Sequence, residues 1–558
     1  MPIRKALFIF MALIASAAFA DLDKTVVKTP TGAKIDEYMS RLERLGYSGA
    51  LLVAKDGDVI VHKAYGWRDA EAKLPYTLDT PATVGSITKQ FTAAGILALE
   101  EEGKLKTTDL MSKYFPNVPE DKQGITLHML LTHSAGFPGA IGDDYEQTGR
   151  EEFIQRAMAR KLLFTPGSAY EYSNVGYSLL GAIIEIVTGK PYERYLHDRL
   201  FVRAGMEHTG YVIPKWDKSK LAHGVLDGEP WGTNLDRPWA ADGPYWHLRA
   251  NGGILSTPAD MYRWSLALDT DKVLSASSRK KLFTPYVKEG PNAPSSYAYG
   301  WAIYPLPSGH TLVAHNGGNG IFAADFRRYP DDHITYFIAS NVSDRPSTAI
   351  SRYIGRIATG VPVTLPPKVV TLPAAELHKL EGTYDGVRVT ATKEGALVLT
   401  PETEAAFLRL SPPANGRERG IGIVTKRSQP IVDAMLKNDF KPLQEAFGDR
   451  SLEEITARQA ELRKELEAKR GALQSATVIG TRTQREMLAT TVRLNFEHGT
   501  AYLILMWDGP EQLAGMRTAA NMPGSVYYPV SATELASFDF PSGESKTIRF
   551  VDGKLVTE

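Results

Sequence analysis

The stretch "VGSITKQFTAAGILALEEEGKL", Val84 to Leu105, decides how the rest of the chain is read. Phe91, Ile96, Leu97 and Leu99 recur on one face, Glu100 to Glu102 sit beyond it, and Gly103 follows, so the segment predicts an amphipathic helix and its stop. A serine stands at its entrance and a lysine three residues later. Positions i and i+3 share a helix face, which puts Ser86 and Lys89 together in the first turn. A helix start has unpartnered N–H groups and favours negative charge, so a lysine gains nothing there. A capping Ser86 beside a solvated Lys89 is the plain alternative. The choice rests on the rest of the chain.

The 558 residues carry 64 basic and 64 acidic side chains, a formal net charge of zero. No basic excess points to nucleic acid, and no acidic excess to cationic partners. The sequence contains no cysteine, which excludes disulfides, thiolate nucleophiles, iron–sulfur clusters, zinc–cysteine sites and a lipidated lipobox cysteine. His128 and His133 are five apart, a spacing that suits neither one helix face nor an H-E-x-x-H site, so no metal is expected. No P-loop or dinucleotide fingerprint occurs, and no cofactor is expected.

At the N-terminus, "MPIRKALFIFMALIASAAFA" combines Arg4 and Lys5, an apolar run from Ala6 to Ala15, and Ala18-Phe19-Ala20. That is the pattern of a signal peptide (residues 1–20) cleaved after Ala20, with an uncleaved anchor as the alternative. No later run approaches about 18 apolar residues, so no transmembrane segment is expected after cleavage. The expected location is periplasmic or secreted.

"GALLVAKDGDVIVHKAYGW" predicts two strands around Asp56-Gly57-Asp58. Helical segments follow to about residue 210, including Tyr177 to Thr188, which closes on Gly189-Lys190-Pro191. Strands return from about residue 296, separated by short turns that favour antiparallel pairing, and a helix from about Pro346 to Gly360 ends the block. The expectation for residues 21–361 is an α+β fold, an antiparallel sheet built from both chain ends with a helical region inserted.

Residues 362–373 form a proline-rich linker. Residues 374–415 and 525–558 read as two halves of a small β-barrel-like domain, flanking an inserted α+β module at 420–522 with helices at Ile431 to Phe447 and Leu452 to Leu473. The second helix carries Leu452, Ile455, Leu462 and Leu466 among many charges. With fewer than three heptads it predicts a solvated surface helix rather than a dimerising coiled coil.

Two further stretches bear on Ser86. In "GSAYEYSNVGYSLLG", Tyr172-Ser173-Asn174 precedes an apolar helix; in "VAHNGGNG", His315-Asn316-Gly317-Gly318 interrupts a strand. Each has an ordinary reading alone: a packed Tyr172, an N-capping Asn174, a strand-end turn at His315. The order S-x-x-K, Y-x-N, H-x-G is far more specific. Together with "LHMLLTHSAGF" (Leu127 to Phe137) and "NGGILSTPADMYRW" (Asn251 to Trp264), the chain resembles the serine β-lactamase and penicillin-binding-protein superfamily over residues 30 to 360, nearest its class C-like branch of D-Ala-D-Ala carboxypeptidases, D-aminopeptidases and carboxylesterases. The region after the linker resembles the lipocalin-like domain that follows such hydrolases, and the inserted module an NTF2-like fold.

The resemblance implies an exported hydrolase that acylates Ser86, on small amide, D-amino-acid peptide or ester substrates, with a peptidase or carboxypeptidase-like enzyme expected first and a carboxylesterase next. Lys89 and Tyr172 would be the other catalytic residues, either of them the formal base, with Lys89 lowering the pKa of Tyr172. The N–H groups of Ser86 and Gly318 would form the oxyanion hole. Asn174 would bind the substrate amide, and Gly317 would let substrate lie along the strand. True class C β-lactamases have lysine where this chain has His315, which is expected to carry partial charge at neutral pH and to bind a carboxylate or orient Tyr172. Efficient β-lactamase activity is therefore disfavoured. A catalytically weak penicillin-binding or sensor protein is the alternative from another class, and an assembly role for the Leu452 helix a third. Trp231, Trp239, Tyr245 and Trp246, in or beside the loop from Gly224 to Tyr245, either wall the pocket or pack. The expected partner is a small-molecule or peptide substrate. Oligomeric state is left open, with a monomer the simplest case.

Overall fold

The computed structural model describes residues 22–226, 229–342, 347–411, 418–448, 450–484, 487–519, 522, 526–551 and 554–557. The signal-peptide reading of residues 1–20 lies outside them. The chain divides into two compact units between Thr364 and Leu365, within the proline-rich stretch. No described helix is long and apolar enough to cross a membrane.

The first unit contains β1 (Val26–Val27), α1 (Thr29–Arg44), β2 (Gly49–Lys55), β3 (Asp58–Tyr65), α2 (Thr88–Glu101), α3 (Asn174–Thr188), α4 (Pro258–Leu268), β4 (Val287–Lys288), β5 (Ser296–Tyr297), β6 (Ala302–Pro305), β7 (Thr311–Gly318), β8 (Ala323–Tyr329), β9 (Ile334–Ser340) and α5 (Ser347–Ala358), with shorter elements between. These strands form one sheet in the order β1-β3-β2-β9-β8-β7-β6-β5-β4, each neighbouring pair antiparallel. The pairing of β2 with β9, Gly49 against Ser340 through Lys55 against Ile334, joins the two ends of the unit. The β2–β3 hairpin turns through Asp56 and Gly57 at φ +53° and +85°, the two positive values that a tight primed turn demands.

One expectation changes here. The Ser86 helix was read as amphipathic, yet α2 is buried from Thr88 through Leu99 on every side. Thr92 is satisfied inside, its Oγ1 donating to the Ala250 carbonyl at 2.6 Å, whereas the buried Gln90 amide finds no side-chain partner among the described residues. A helix enclosed all round cannot show its partners in a two-faced pattern, and Lys89 is carried into the core with it.

The helical region meets the sheet where β7 ends. A Cβ on Gly317 would overlap the Val84 carbonyl and stand 2.6 Å from the Ser86 nitrogen, and one on Gly85, at φ +53°, would overlap the Gly318 nitrogen. Two backbone segments thus touch with no side chain between them, as glycine alone permits. β6 pairs with β7 only from Thr311 to Ala314, so on that side the edge from His315 to Gly318 is free of a strand partner.

In the second unit, β10 (Gly382–Tyr384), β11 (Val387–Ala391) and β12 (Leu397–Pro401) are followed by α6 (Glu418–Leu436), α7 (Lys441–Phe447), α8 (Leu452–Arg470), β13 (Leu473–Gln484), β14 (Met487–Phe496), β15 (Gly499–Asp508), β16 (Gln512–Ala519), β17 (Val526–Pro529), β18 (Glu534–Asp539), β19 (Glu544–Val551) and β20 (Lys554–Thr557). One sheet runs β10-β11-β12-β17-β18-β19-β20, a β-rich, nearly barrel-like domain drawn from both sides of a separate four-stranded sheet, β13-β14-β15-β16. The single helix expected from Ile431 to Phe447 is two. Asn438 at φ +59° ends α6, and α7 starts with Pro442 near its head. In α8 only Ile455 is fully buried, because charges occupy most of the remaining face.

Gly317→Ala should lower the thermal midpoint of the first unit by several degrees, since backbone on both sides cannot yield; overpacking of this kind costs about 1–3 kcal/mol. Gly124→Ala, with no atom within 4 Å of its added Cβ, is the control and should leave the melting curve nearly unmoved.

Candidate active site

Ser86 lies in a single 3-10 turn, Gly85–Ile87, that leads into α2, and Lys89 is the second residue of that helix. The Lys89 side chain is fully buried. Its Nζ lies 2.8 Å from Asn174 Oδ1, 2.8 Å from the Asn251 carbonyl and 3.2 Å from Ser86 Oγ. Burial pushes its pKa well below the ordinary 10.5, opposed only by the charge of Asp144. That shift favours the neutral amine, with two N–H groups and one lone pair. Two carbonyl oxygens accept both N–H groups, so the lone pair remains for the Ser86 hydroxyl. An amine so placed can accept a proton from an alcohol.

Both carbonyls are rigidly placed. Asn174 opens α3, but Ser173 is its cap: the Ser173 hydroxyl accepts from the Gly176 N–H at 3.2 Å, leaving the Asn174 amide oxygen to Lys89. Ala250, just before Asn251, has φ +70°, and the Tyr211 hydroxyl accepts from its N–H and donates to the Gly252 carbonyl. The Asn251 amide donates to Ser178 Oγ and to the His247 carbonyl. Asn251 was not singled out for a role from sequence, though the glycine pair after it signals close backbone approach.

Tyr172 lies beside Lys89, whose Nζ is 4.7 Å from the ring centre. The expectation that Lys89 lowers its pKa is corrected. A neutral amine has no charge to exert, and burial dominates, pushing the phenol upward; the nearby Ser86 hydroxyl pulls it partly back, although the Tyr172 hydroxyl has no well-formed hydrogen bond. Tyr172 stays protonated. His133 supports it: its ring packs 4.4 Å from the Tyr172 ring, and its Nδ1 accepts the Ser173 N–H at 3.0 Å. From sequence His133 was weighed only as a metal ligand.

His315 also differs from expectation. It is 6% exposed, and burial above all drives its pKa well below the ordinary 6.5, so it is neutral at pH 7. Its Nδ1 lies 2.6 Å from the Asn316 carbonyl, an acceptor only, which places the proton there; Nε2 then accepts from the Tyr297 hydroxyl at 2.9 Å. Both nitrogens are engaged. His315 offers a carboxylate no charge, and its ring and that of Tyr297 both lie with their centres 6.2 Å from the Tyr172 ring, without a hydrogen bond to the Tyr172 hydroxyl.

Gly317 and Gly318 complete the group, their backbone lying against Val84–Ser86 as described. The Asn319 amide donates to the Tyr145 hydroxyl at 3.1 Å, tying the loop from Pro138 to Gly149 to the end of β7. Of the four aromatic residues, Trp231 stands there, with Phe322 at 5.9 Å and Tyr145 at 6.2 Å. Trp239 packs on Tyr211, Trp246 is buried in the core, and Tyr245 is half-buried.

Lys89→Met gives a pH test. Between its depressed folded pKa and 10.5 the unfolded chain binds one proton more than the native state, so this lysine makes stability rise with pH, by up to about 1.4 kcal/mol per unit. Urea midpoints of the first unit should therefore climb more steeply from pH 7 to 10 in the wild type than in the variant. Equal slopes would mean a charged Lys89.

A profile described as Beta-lactamase matches residues 33–359, more than half of the chain. Penicillin-binding protein 4* of Bacillus subtilis (strain 168) is 26% identical over 410 residues, covering 67% of this chain and 88% of that protein. The putative penicillin-binding protein PbpX of the same strain is 31% identical over 307 residues, 53% of this chain and 74% of its own. The octameric penicillin-binding protein homologue from Pyrococcus abyssi shares the fold at a TM-score of 0.54 and 22% identity, covering 94% of this chain and 98% of that one. The chain belongs to the beta-lactamase family of serine hydrolases.

Proposed function

We propose that this is an exported serine hydrolase working through an acyl-enzyme at Ser86, on small amide, D-amino-acid peptide or ester substrates. The observation that carries the reading is the buried, neutral Lys89 amine 3.2 Å from the Ser86 hydroxyl. Lys89 Nζ takes the Ser86 proton as Oγ bonds to the substrate carbonyl carbon. The resulting oxyanion is held by the Ser86 and Gly318 N–H groups, each such donor worth about 2.7–4 kcal/mol. The leaving nitrogen or oxygen departs with a proton from Tyr172, which Lys89 replenishes. Water then hydrolyses the Ser86 ester. The raised pKa of Tyr172 supports Lys89 as base and Tyr172 as acid.

The charge of the site supports some substrates over others. Lys89 and His315 are both neutral, so neither greets a terminal carboxylate. Amidase, aminopeptidase or carboxylesterase action fits better than carboxypeptidase or β-lactamase action. A second reading, a penicillin-binding protein that holds its acyl group, has the names of the two curated relatives in its favour.

A fluorophosphonate probe and penicillin, followed by intact mass, test both. The wild type should gain one adduct and Ser86→Ala none; equal labelling of the two would overturn the proposal. A D-amino-acid anilide and a p-nitrophenyl ester should turn over in the wild type, with Tyr172→Phe slower by about 10²–10⁴-fold. A penicillin adduct that persists while neither substrate turns over selects the second reading.

A further inference from the structure

A cavity of about 530 Å³ opens beside Tyr172 and His315, on the sheet face formed by Ala302, Ala314 and Asn316 and bordered by Thr348 of α5. That is ample for a small ligand group. Three tyrosines line it, Tyr172, Tyr297 and Tyr304, together with Glu289, Asp325 and Arg327. Asp325 and Arg327 neutralise each other: Arg327 Nε and Nη2 donate to Asp325 Oδ2 at 3.1 and 2.9 Å, and Nη2 also donates to the Thr348 carbonyl. Glu289 is different. Its carboxylate accepts from the Tyr170 hydroxyl at 3.1 Å and from Ser295, and among the described residues it makes no ion pair. Each oxygen keeps lone pairs to spare. The cavity therefore has one uncompensated negative charge and three electron-rich rings, one of them that of Tyr172.

We propose that this cavity is a leaving-group subsite for a cation, an ammonium or quaternary ammonium, with Glu289 its specificity-determining residue. The inference rests on the proposed function: the group that takes its proton from Tyr172 departs on the Tyr172 side, toward this cavity. A carboxylate and aromatic faces together are the chemistry that recognises such cations. An anionic leaving group would meet Glu289 with no free cation to receive it.

Thioacetates that differ only in the leaving thiol test this, and a protein without cysteine gives no background in the thiol assay. Acetylthiocholine should exceed its neutral isostere, S-(3,3-dimethylbutyl) thioacetate, by about tenfold or more in kcat/KM, and S-acetyl-3-mercaptopropionate should be the poorest. Glu289→Gln, which keeps an acceptor for Tyr170 and Ser295, should bring the ratio of the first two close to one; Glu289→Asp should keep the preference. Equal rates for cation and isostere in the wild type, or a preference surviving in Glu289→Gln, overturn the subsite. Calorimetric titration with choline against 3,3-dimethylbutanol reads the cavity without turnover. If no thioacetate is hydrolysed, calorimetry decides: choline binding weakened about tenfold by Glu289→Gln sustains the cation site, and no choline binding at millimolar concentration sinks it, while the acyl-enzyme reading stands or falls separately on Ser86 labelling.

Discussion

A lysine amine buried without a matching carboxylate in hydrogen-bond contact is the constraint around which the first unit is organised. A charged ammonium there would cost several kcal/mol of lost hydration. The fold meets that cost by neutralising the amine and spending its two N–H groups on the Asn174 side chain and the Asn251 carbonyl. What remains is a lone pair facing one alcohol. Each element that fixes those carbonyls, from the Ser173 cap to the Tyr211 hydroxyl bridging Ala250 and Gly252, also decides where the lone pair points.

The second requirement is distance. The end of β7 lies directly against the turn at Ser86, and any side chain between them would hold them apart. Glycine at positions 85 and 317 removes the obstacle from both sides. Beyond Ala314 the edge of β7 that faces β6 has no strand partner.

Around this centre the surroundings are more aromatic than charged. His133, Tyr172, Tyr177 and Tyr297 form one packed group, its rings 4.4 to 5.0 Å from His133. Packing of that density strips water from both histidines and from Tyr172, which keeps the histidines neutral and the phenol protonated. Two carboxylates act on this centre electrostatically, Asp144 on Lys89 and Glu289 on Tyr172.

The sequence by itself determined the serine–lysine pairing, because i and i+3 on a helix are neighbours in any fold. It also determined the β2–β3 turn, the helix stop at Gly189 and the antiparallel order of the later strands, all set by local backbone chemistry. The motif order further identified Tyr172, Asn174, His315 and Gly318 as members of one group. Only the tertiary structure decided what those members are electrically. Burial of α2 on all sides, the neutrality of His315 and the upward shift of Tyr172 come from atoms far off in the chain, and no spacing encodes desolvation. The same holds for Asn251: it acts through a backbone carbonyl, which every residue has, so its role lay in where the loop was folded and not in its name.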